Sequence, residues 1–225
     1  MLAIDLFCGL GGWAEGLLAE GYTVIGFDIE QRPYPAQLVL QDVKTLHGSQ
    51  FRNADLIVAS PPCQAYSYRA MPWKRAKALP PPDNTLFDAC FRIQREASEA
   101  AGRYIPMVVE NVNGAQRWVG RARWHFGSYY LWGDVPALMP WSLRVQKIAR
   151  YSDPRRNGGR PSHLTCQIEN DLGIEGFATR FEDTPWAWHL SRSQARKQAS
   201  AAIAKIPFPL ARHIAQVYKT NQDVE

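Results

Sequence analysis

The sequence predicts an α/β fold, a mostly parallel sheet with helices on both faces, and three observations carry that expectation. Short apolar runs at Leu2–Phe7, Tyr22–Ile29, Asp55–Ala59 and Ile105–Val109 are rich in the branched and aromatic residues that strands favour. Between them lie helix-period segments or long connections, which suit parallel rather than antiparallel neighbours. The unusual residues, Asp5 with the glycines, then Asp28, then Cys63, then Glu110 and Asn111, fall at or just past the carboxyl ends of these runs. In an open parallel sheet that edge is where ligands bind, so residues a hundred positions apart can meet in one crevice.

Each element follows in order. Leu2–Phe7 opens as a strand, Gly9–Gly12 turns, and Trp13–Glu20 carries Trp13, Leu17 and Leu18 at helical spacing until Gly21 closes it. Tyr22–Ile29 and Asp55–Ala59 are the next strands. A helix is expected from Asn84 to Gly102, where Leu86, Cys90, Ile93 and Ala97 recur at helical intervals and Gly102 supplies the stop. Pro80, Pro81 and Pro82 with the basic stretch Met71–Lys77 read as a surface loop following Cys63. From Trp132 to Ser191 the periodicity weakens into an irregular insert with Arg155, Arg156 and Arg160. Ser191–Tyr218 regains a helical pattern, broken by Pro207 and Pro209. The expected organisation is a core at 1–133, an insert at 134–190 and helices at 191–225 that complete the core.

With 225 residues, 46% of them hydrophobic, the chain suits one domain with a small appendage. No apolar run reaches the roughly 18 residues that span a bilayer, so no membrane partner is expected. The start, MLAIDLFCGLGG, has no basic leader, and a cytoplasmic location is expected. Cysteines at 8, 63, 90 and 166 form no C-x-x-C pair, which argues against a metal site and a disulfide framework. A net charge of +5 suits a polyanionic partner without identifying one.

Four motifs carry chemistry. Asp5-Leu-Phe-Cys-Gly-Leu-Gly-Gly12 lies between strand and helix, where residues without side chains let a ligand approach the backbone; a packing turn looks the same. Its spacing differs from G-x-G-x-x-G, and it lacks the Lys-Ser or Lys-Thr of a P-loop. Asp28 stands where Rossmann-like folds place an acid for ribose hydroxyls, although with Glu30 it also reads as a solvated strand end. Asp42 is open between a ligand's base and a loop cap. Pro61 and Pro62 fix the backbone before Cys63 and present its thiol in one orientation. Glu110, at the end of an apolar strand, is expected to be desolvated and to hold or donate a proton near neutrality. A thiol and a carboxylic acid on adjacent strand ends suit attack on an electron-poor ring that is protonated as it is attacked.

Together these residues resemble the DNA cytosine-5 methyltransferases, in D-L-F-C-G-x-G-G at 5–12, Asp28, P-P-C-Q at 61–64 and E-N-V at 110–112. The likeness spans roughly residues 1–135. It implies a Rossmann-like S-adenosylmethionine-dependent methyltransferase fold acting on double-stranded DNA. Asp5, Phe7, Gly9, Gly11, Gly12, Asp28, Ile29, Asp42, Val43 and Pro61 would form the S-adenosyl-L-methionine site, Asp28 on the ribose and Asp42 on the adenine. Cys63 would attack C6 of a flipped cytosine, Glu110 would contact N3 and the amine, and Asn111 would orient the cysteine loop. Arg121 and Arg123 match a Q-x-R-x-R motif in which Val119 replaces the glutamine. Ile203 and Ala204 replace the glycine and asparagine of a closing G-N-x-V-P motif, with Lys205 as a substitute donor. The insert is too short for a usual target-recognition domain, which suggests a compact, phage-like member with short or relaxed specificity. Rival readings are an RNA cytosine-5 methyltransferase, although the C-F-T stretch of the tRNA-modifying relative is missing, and a DNA-binding or regulatory protein without turnover.

Overall fold

The computed structural model describes residues 1–67, 78–137, 139 and 204–220. The chain divides into two units, 1–144 with 205–225, and 145–204. The second unit lies outside the described residues except for Ala204, as do the basic stretch Met71–Lys77, expected to be a surface loop, and the greater part of the expected insert.

In the first unit the strands are β1 (Leu2–Leu6), β2 (Thr23–Asp28), β3 (Gln37–Leu40), β4 (Leu56–Ala59), β5 (Met107–Asn111), β6 (Trp124–Phe126) and β7 (Tyr129–Gly133). They form one sheet in the order β3-β2-β1-β4-β5-β7-β6. The first five are parallel, and β7 and β6 close the sheet antiparallel. The central strands β4 and β5 are buried throughout, which is why they read as unbroken apolar runs.

Helix α1 (Gly12–Ala19) follows β1, α2 (Thr85–Ala101) precedes β5, α3 (Gln116–Val119) follows β5, and α4 (Phe208–Thr220) returns from the far end of the chain. The Leu86–Ala97 pattern was legible because Phe87, Cys90, Ile93 and Ala97 form the buried stripe of α2. They pack against Ile4, Leu6, Ile57 and Val109 of the sheet, with Phe27 edge-on to Phe51 and Phe87 edge-on to Trp132.

Helix α4 packs against α1. A Cβ on Gly12 would lie 2.8 Å from the Ile206 carbonyl oxygen, so only glycine admits the segment that leads into α4. The Tyr22 hydroxyl donates to the Ala215 carbonyl at 3.1 Å, and Arg212 donates to Glu20 at 2.6 Å. Pro209 lies in the first turn of α4, where its missing N–H is harmless, so it starts the helix and does not break it.

The structure corrects the sequence reading at three further places. β3 was missed. Residues 124–133 form an antiparallel hairpin that carries Trp132 inside a strand. β5 runs on to Asn111, so Glu110 and Asn111 are its last two residues and pair with Leu131 and Tyr130 of β7. The β2–β3 crossover, 29–36, has no helix. No helix among the described residues is long and apolar enough to cross a membrane, and none of their His, Cys, Asp and Glu side chains cluster as metal ligands.

Candidate active site

The chain reverses direction relative to sheet order between β1 and β4, which places the loops after these strands side by side. After β1, Phe7 adopts φ 57°, the one positive φ outside glycine among the described residues. The turn is held by Cys8 N–H to the Phe27 carbonyl at 3.2 Å and Gly11 N–H to the Cys8 carbonyl at 2.8 Å. Asp28 ends β2 and accepts from Gly9 N–H at 3.0 Å and Glu30 N–H at 2.9 Å, one bond to each oxygen. Its remaining lone pairs stay available for hydroxyl donors. A Cβ on Gly9 would meet nothing nearer than the Phe7 oxygen at 4.0 Å, and Ile29 is 72% exposed beside Asp28. An open backbone, an aimed carboxylate and an exposed apolar side chain fit the ribose and adenine of a nucleoside cofactor.

The other residues assigned to the cofactor occupy different settings. Asp5 is fully buried and lies beneath the turn; burial pushes its carboxyl up to about 8, the Asp28 charge adds to this, and the Tyr34 hydroxyl, donating at 3.0 Å, opposes it. Gly11 and Gly12 face Pro35 and Ile206 across tight packing contacts. Asp42 caps a short 3₁₀ turn by accepting from Lys44 N–H at 2.9 Å, and Val43 is buried. Burial, with Asp5 next to it, also pushes the Cys8 thiol up, which marks Cys8 as an inert core thiol.

After β4, Ser60 donates its N–H to the Leu6 carbonyl at 3.1 Å and accepts from the Trp13 indole at 2.9 Å, which fastens the strand end to α1. Pro61 is buried and Cys63 is partly exposed. The Cys63 carbonyl accepts from Tyr66 N–H, Ser67 N–H and the Ser67 hydroxyl, each at 3.0 Å, which folds 63–67 into a tight turn. Asn111 donates its side-chain amide to the Pro61 carbonyl at 2.9 Å, and its own carbonyl oxygen accepts from Val112 N–H at 2.8 Å. Both ends of that buried amide are thereby satisfied. β4 and β5 are parallel neighbours with Ala59 opposite Val109, so Cys63 and Glu110 leave adjacent strand ends. Glu110 is only 4% exposed.

Arg121 and Arg123 are exposed on the approach to β6, with β7 between that strand and β5. Lys205 pairs with Glu15 of α1 at 2.5 Å, so its ammonium is already engaged. Sequence reasoning missed Tyr34 and Tyr129. The Tyr129 hydroxyl donates to the Lys205 carbonyl at 3.0 Å, and burial together with the nearby Glu110 charge pushes it up. The signal for Tyr129 was the Gly127-Ser128 pair between Trp-His-Phe and Tyr-Tyr-Leu-Trp, a two-residue hairpin turn.

A seven-stranded sheet with five parallel strands, a glycine turn after the first and an acid closing the second define a Rossmann-like fold of the S-adenosylmethionine-dependent methyltransferase type. The chain belongs to the C-5 cytosine-specific DNA methylase family, whose profile matches residues 1–117. Among solved structures it is similar to a candidate DNA modification methyltransferase encoded within an E. coli prophage, at 24% identity and a TM-score of 0.39, over 53% of this chain and 34% of that one. The S. pombe Dnmt2 methyltransferase matches at 17% identity and a TM-score of 0.37, over 52% of this chain and 36% of that one. The Entamoeba histolytica methyltransferase EhMeth matches at 17% identity and a TM-score of 0.41, over 65% of this chain and 55% of that one. The match thus spans about a third of the length of the first two. No curated protein sequence matches the chain.

Proposed function

We propose that this chain methylates C5 of a cytosine flipped out of double-stranded DNA, with S-adenosylmethionine as donor and with short or relaxed sequence specificity. The observation that carries the reading is the Asn111 amide on the Pro61 carbonyl, which ties the cysteine turn to the strand end that bears Glu110. Flipping is required because C6 lies within the base stack, where a thiol cannot reach the ring face. Cys63 adds its thiolate to C6, which moves the ring electrons toward C5. Glu110 bonds N3 and the exocyclic amine and stabilises the charge that develops there. When bound, the donor would supply an electrophilic methyl group on sulfonium, which C5 takes with the ring electrons while the S–CH3 bond breaks and a neutral thioether leaves. Loss of the C5 proton to a base then restores the ring and returns the thiolate of Cys63. Phe7, Gly9, Asp28 and Ile29 hold the donor, with Asp28 accepting from ribose hydroxyls and Asp42 and the Val43 backbone on the adenine side. Gly11 and Gly12 serve it by shaping the turn, and Arg121 and Arg123 meet the nucleotide and its phosphates.

Transfer of tritiated methyl groups from S-adenosylmethionine to duplex DNA and to tRNA, by the parent and by Cys63→Ala, tests this. Labelled DNA with the parent alone is expected. Label in tRNA and none in DNA would replace the substrate, and no label in either would remove the enzymatic reading.

A further inference from the structure

The crossover at 29–36 joins two parallel strands in eight residues without a helix. It lies as a strap over the glycine turn. Its sequence is Pro33-Tyr34-Pro35, in which the prolines fix their own φ and restrict the residues before them, so Tyr34 is presented in one orientation. Tyr34 covers β2 at Gly26, where a Cβ would lie 2.6 Å from its hydroxyl, and Pro35 covers Gly11, where a Cβ would lie 2.9 Å from Cγ. Asp5 and Gly26 are register partners on β1 and β2, so the phenol reaches across one strand pair to donate to Asp5 at 3.0 Å. At the other end of the strap, Glu30 N–H donates to Asp28, whose second oxygen accepts from Gly9 N–H of the turn.

The bonds close a ring: turn to Asp28, Asp28 to the start of the strap, the end of the strap to Asp5, and Asp5 through β1 back to the turn. Building on the cofactor reading above, we propose that Tyr34 is a positioning residue for the donor. Its hydroxyl locks the strap to Asp5 and so fixes the direction of the Asp28 carboxylate and of Ile29. Among the described residues the other Asp5 oxygen is buried without a partner and the Tyr34 hydroxyl is the one group bonded to this carboxyl. The ionisable groups facing Asp5 are Tyr34 from the strap, Asp28 from the end of β2 and Cys8 from the turn. Burial keeps Tyr34 protonated, and therefore a donor, throughout the usual pH range.

Calorimetric binding of S-adenosylhomocysteine from pH 6 to 9.5 to the parent, Tyr34→Phe and Asp5→Asn tests the proposal. Tyr34→Phe keeps the ring on Gly26 and loses the hydroxyl. It is expected to bind about five- to tenfold more weakly, since one hydrogen bond is lost. In the parent, binding is expected to weaken above about pH 8 as Asp5 ionises beside Asp28. That alkaline limb moves upward in Tyr34→Phe, because the hydroxyl that favoured the charged carboxyl is gone, and it vanishes in Asp5→Asn. A structural role alone would leave the limb in place. Parent-like affinity in Tyr34→Phe, or an unchanged limb in Asp5→Asn, overturns the proposal. A parent that does not bind S-adenosylhomocysteine overturns the cofactor reading instead. If Tyr34→Phe fails to fold, Asp5→Ala, which removes the acceptor and leaves the phenol in place, decides: weaker binding is expected, and parent-like affinity overturns the proposal.

Discussion

Asp5→Asn isolates the energetic effect of one buried carboxyl. In the folded chain that group is pushed from 3.8 up to about 8, chiefly by burial. Between those values the folded state holds a proton that the unfolded state has released, so stability falls as pH rises. The contribution is fully present below pH 4 and lost as pH passes 8. Each unit corresponds to about 1.4 kcal/mol, so from pH 5 to pH 8 the parent is expected to lose about 4 kcal/mol through Asp5. Asparagine has the shape of the protonated acid, keeps an acceptor for Tyr34 and cannot ionise. Urea unfolding of both proteins at pH 5, 6, 7 and 8 gives the two stability profiles. The gap between them is expected to widen by about 4 kcal/mol in favour of the variant toward pH 8. Profiles that run parallel would refute the assignment of a neutral Asp5.

Other substitutions test the packing and the loop. Gly12→Ala forces a methyl group into the Ile206 backbone and is expected to cost about 1–3 kcal/mol, seen as a fall of several degrees in a melting curve; an unchanged melt contradicts the close approach. Asn111→Ala leaves the Pro61 carbonyl without its donor and is expected to cost about 1–3 kcal/mol and to remove methyl transfer. Full activity in that variant means the amide does not hold the cysteine turn. Lys205→Ala breaks a pair whose side chains are 33% and 40% exposed, so less than about 1 kcal/mol is at stake and donor affinity is expected to persist. A large loss of affinity would make Lys205 a donor ligand after all.

The parallel core was legible because β1, β4 and β5 are buried almost throughout and read as apolar runs that end at the candidate site residues. β3 is four residues long at the sheet edge, with no position fully buried, so it leaves almost no pattern. Glu110 and Asn111 looked like a strand end because they are polar. Only their pairing with β7, a nonlocal contact, extends the strand through them. Cys63, Glu110 and Asn111 could be placed on neighbouring strand ends from sequence, and the resemblance implied that Asn111 orients the cysteine loop; the bond itself, from the Asn111 amide to the Pro61 carbonyl 50 positions away, is visible only in the fold. Tyr34 had a local signal in its two flanking prolines, while its partner Asp5 lies on another strand.

Covalent capture tests the central claim most directly. Duplex DNA with 5-fluorocytosine in place of cytosine is incubated with S-adenosylmethionine and the protein, then resolved under denaturing conditions. A fluorine at C5 cannot leave as a proton does, so the parent is expected to stay bound to DNA through Cys63, and Cys63→Ala to run free. A parent that releases all of its DNA, or a Cys63→Ala variant that is captured equally well, contradicts the account.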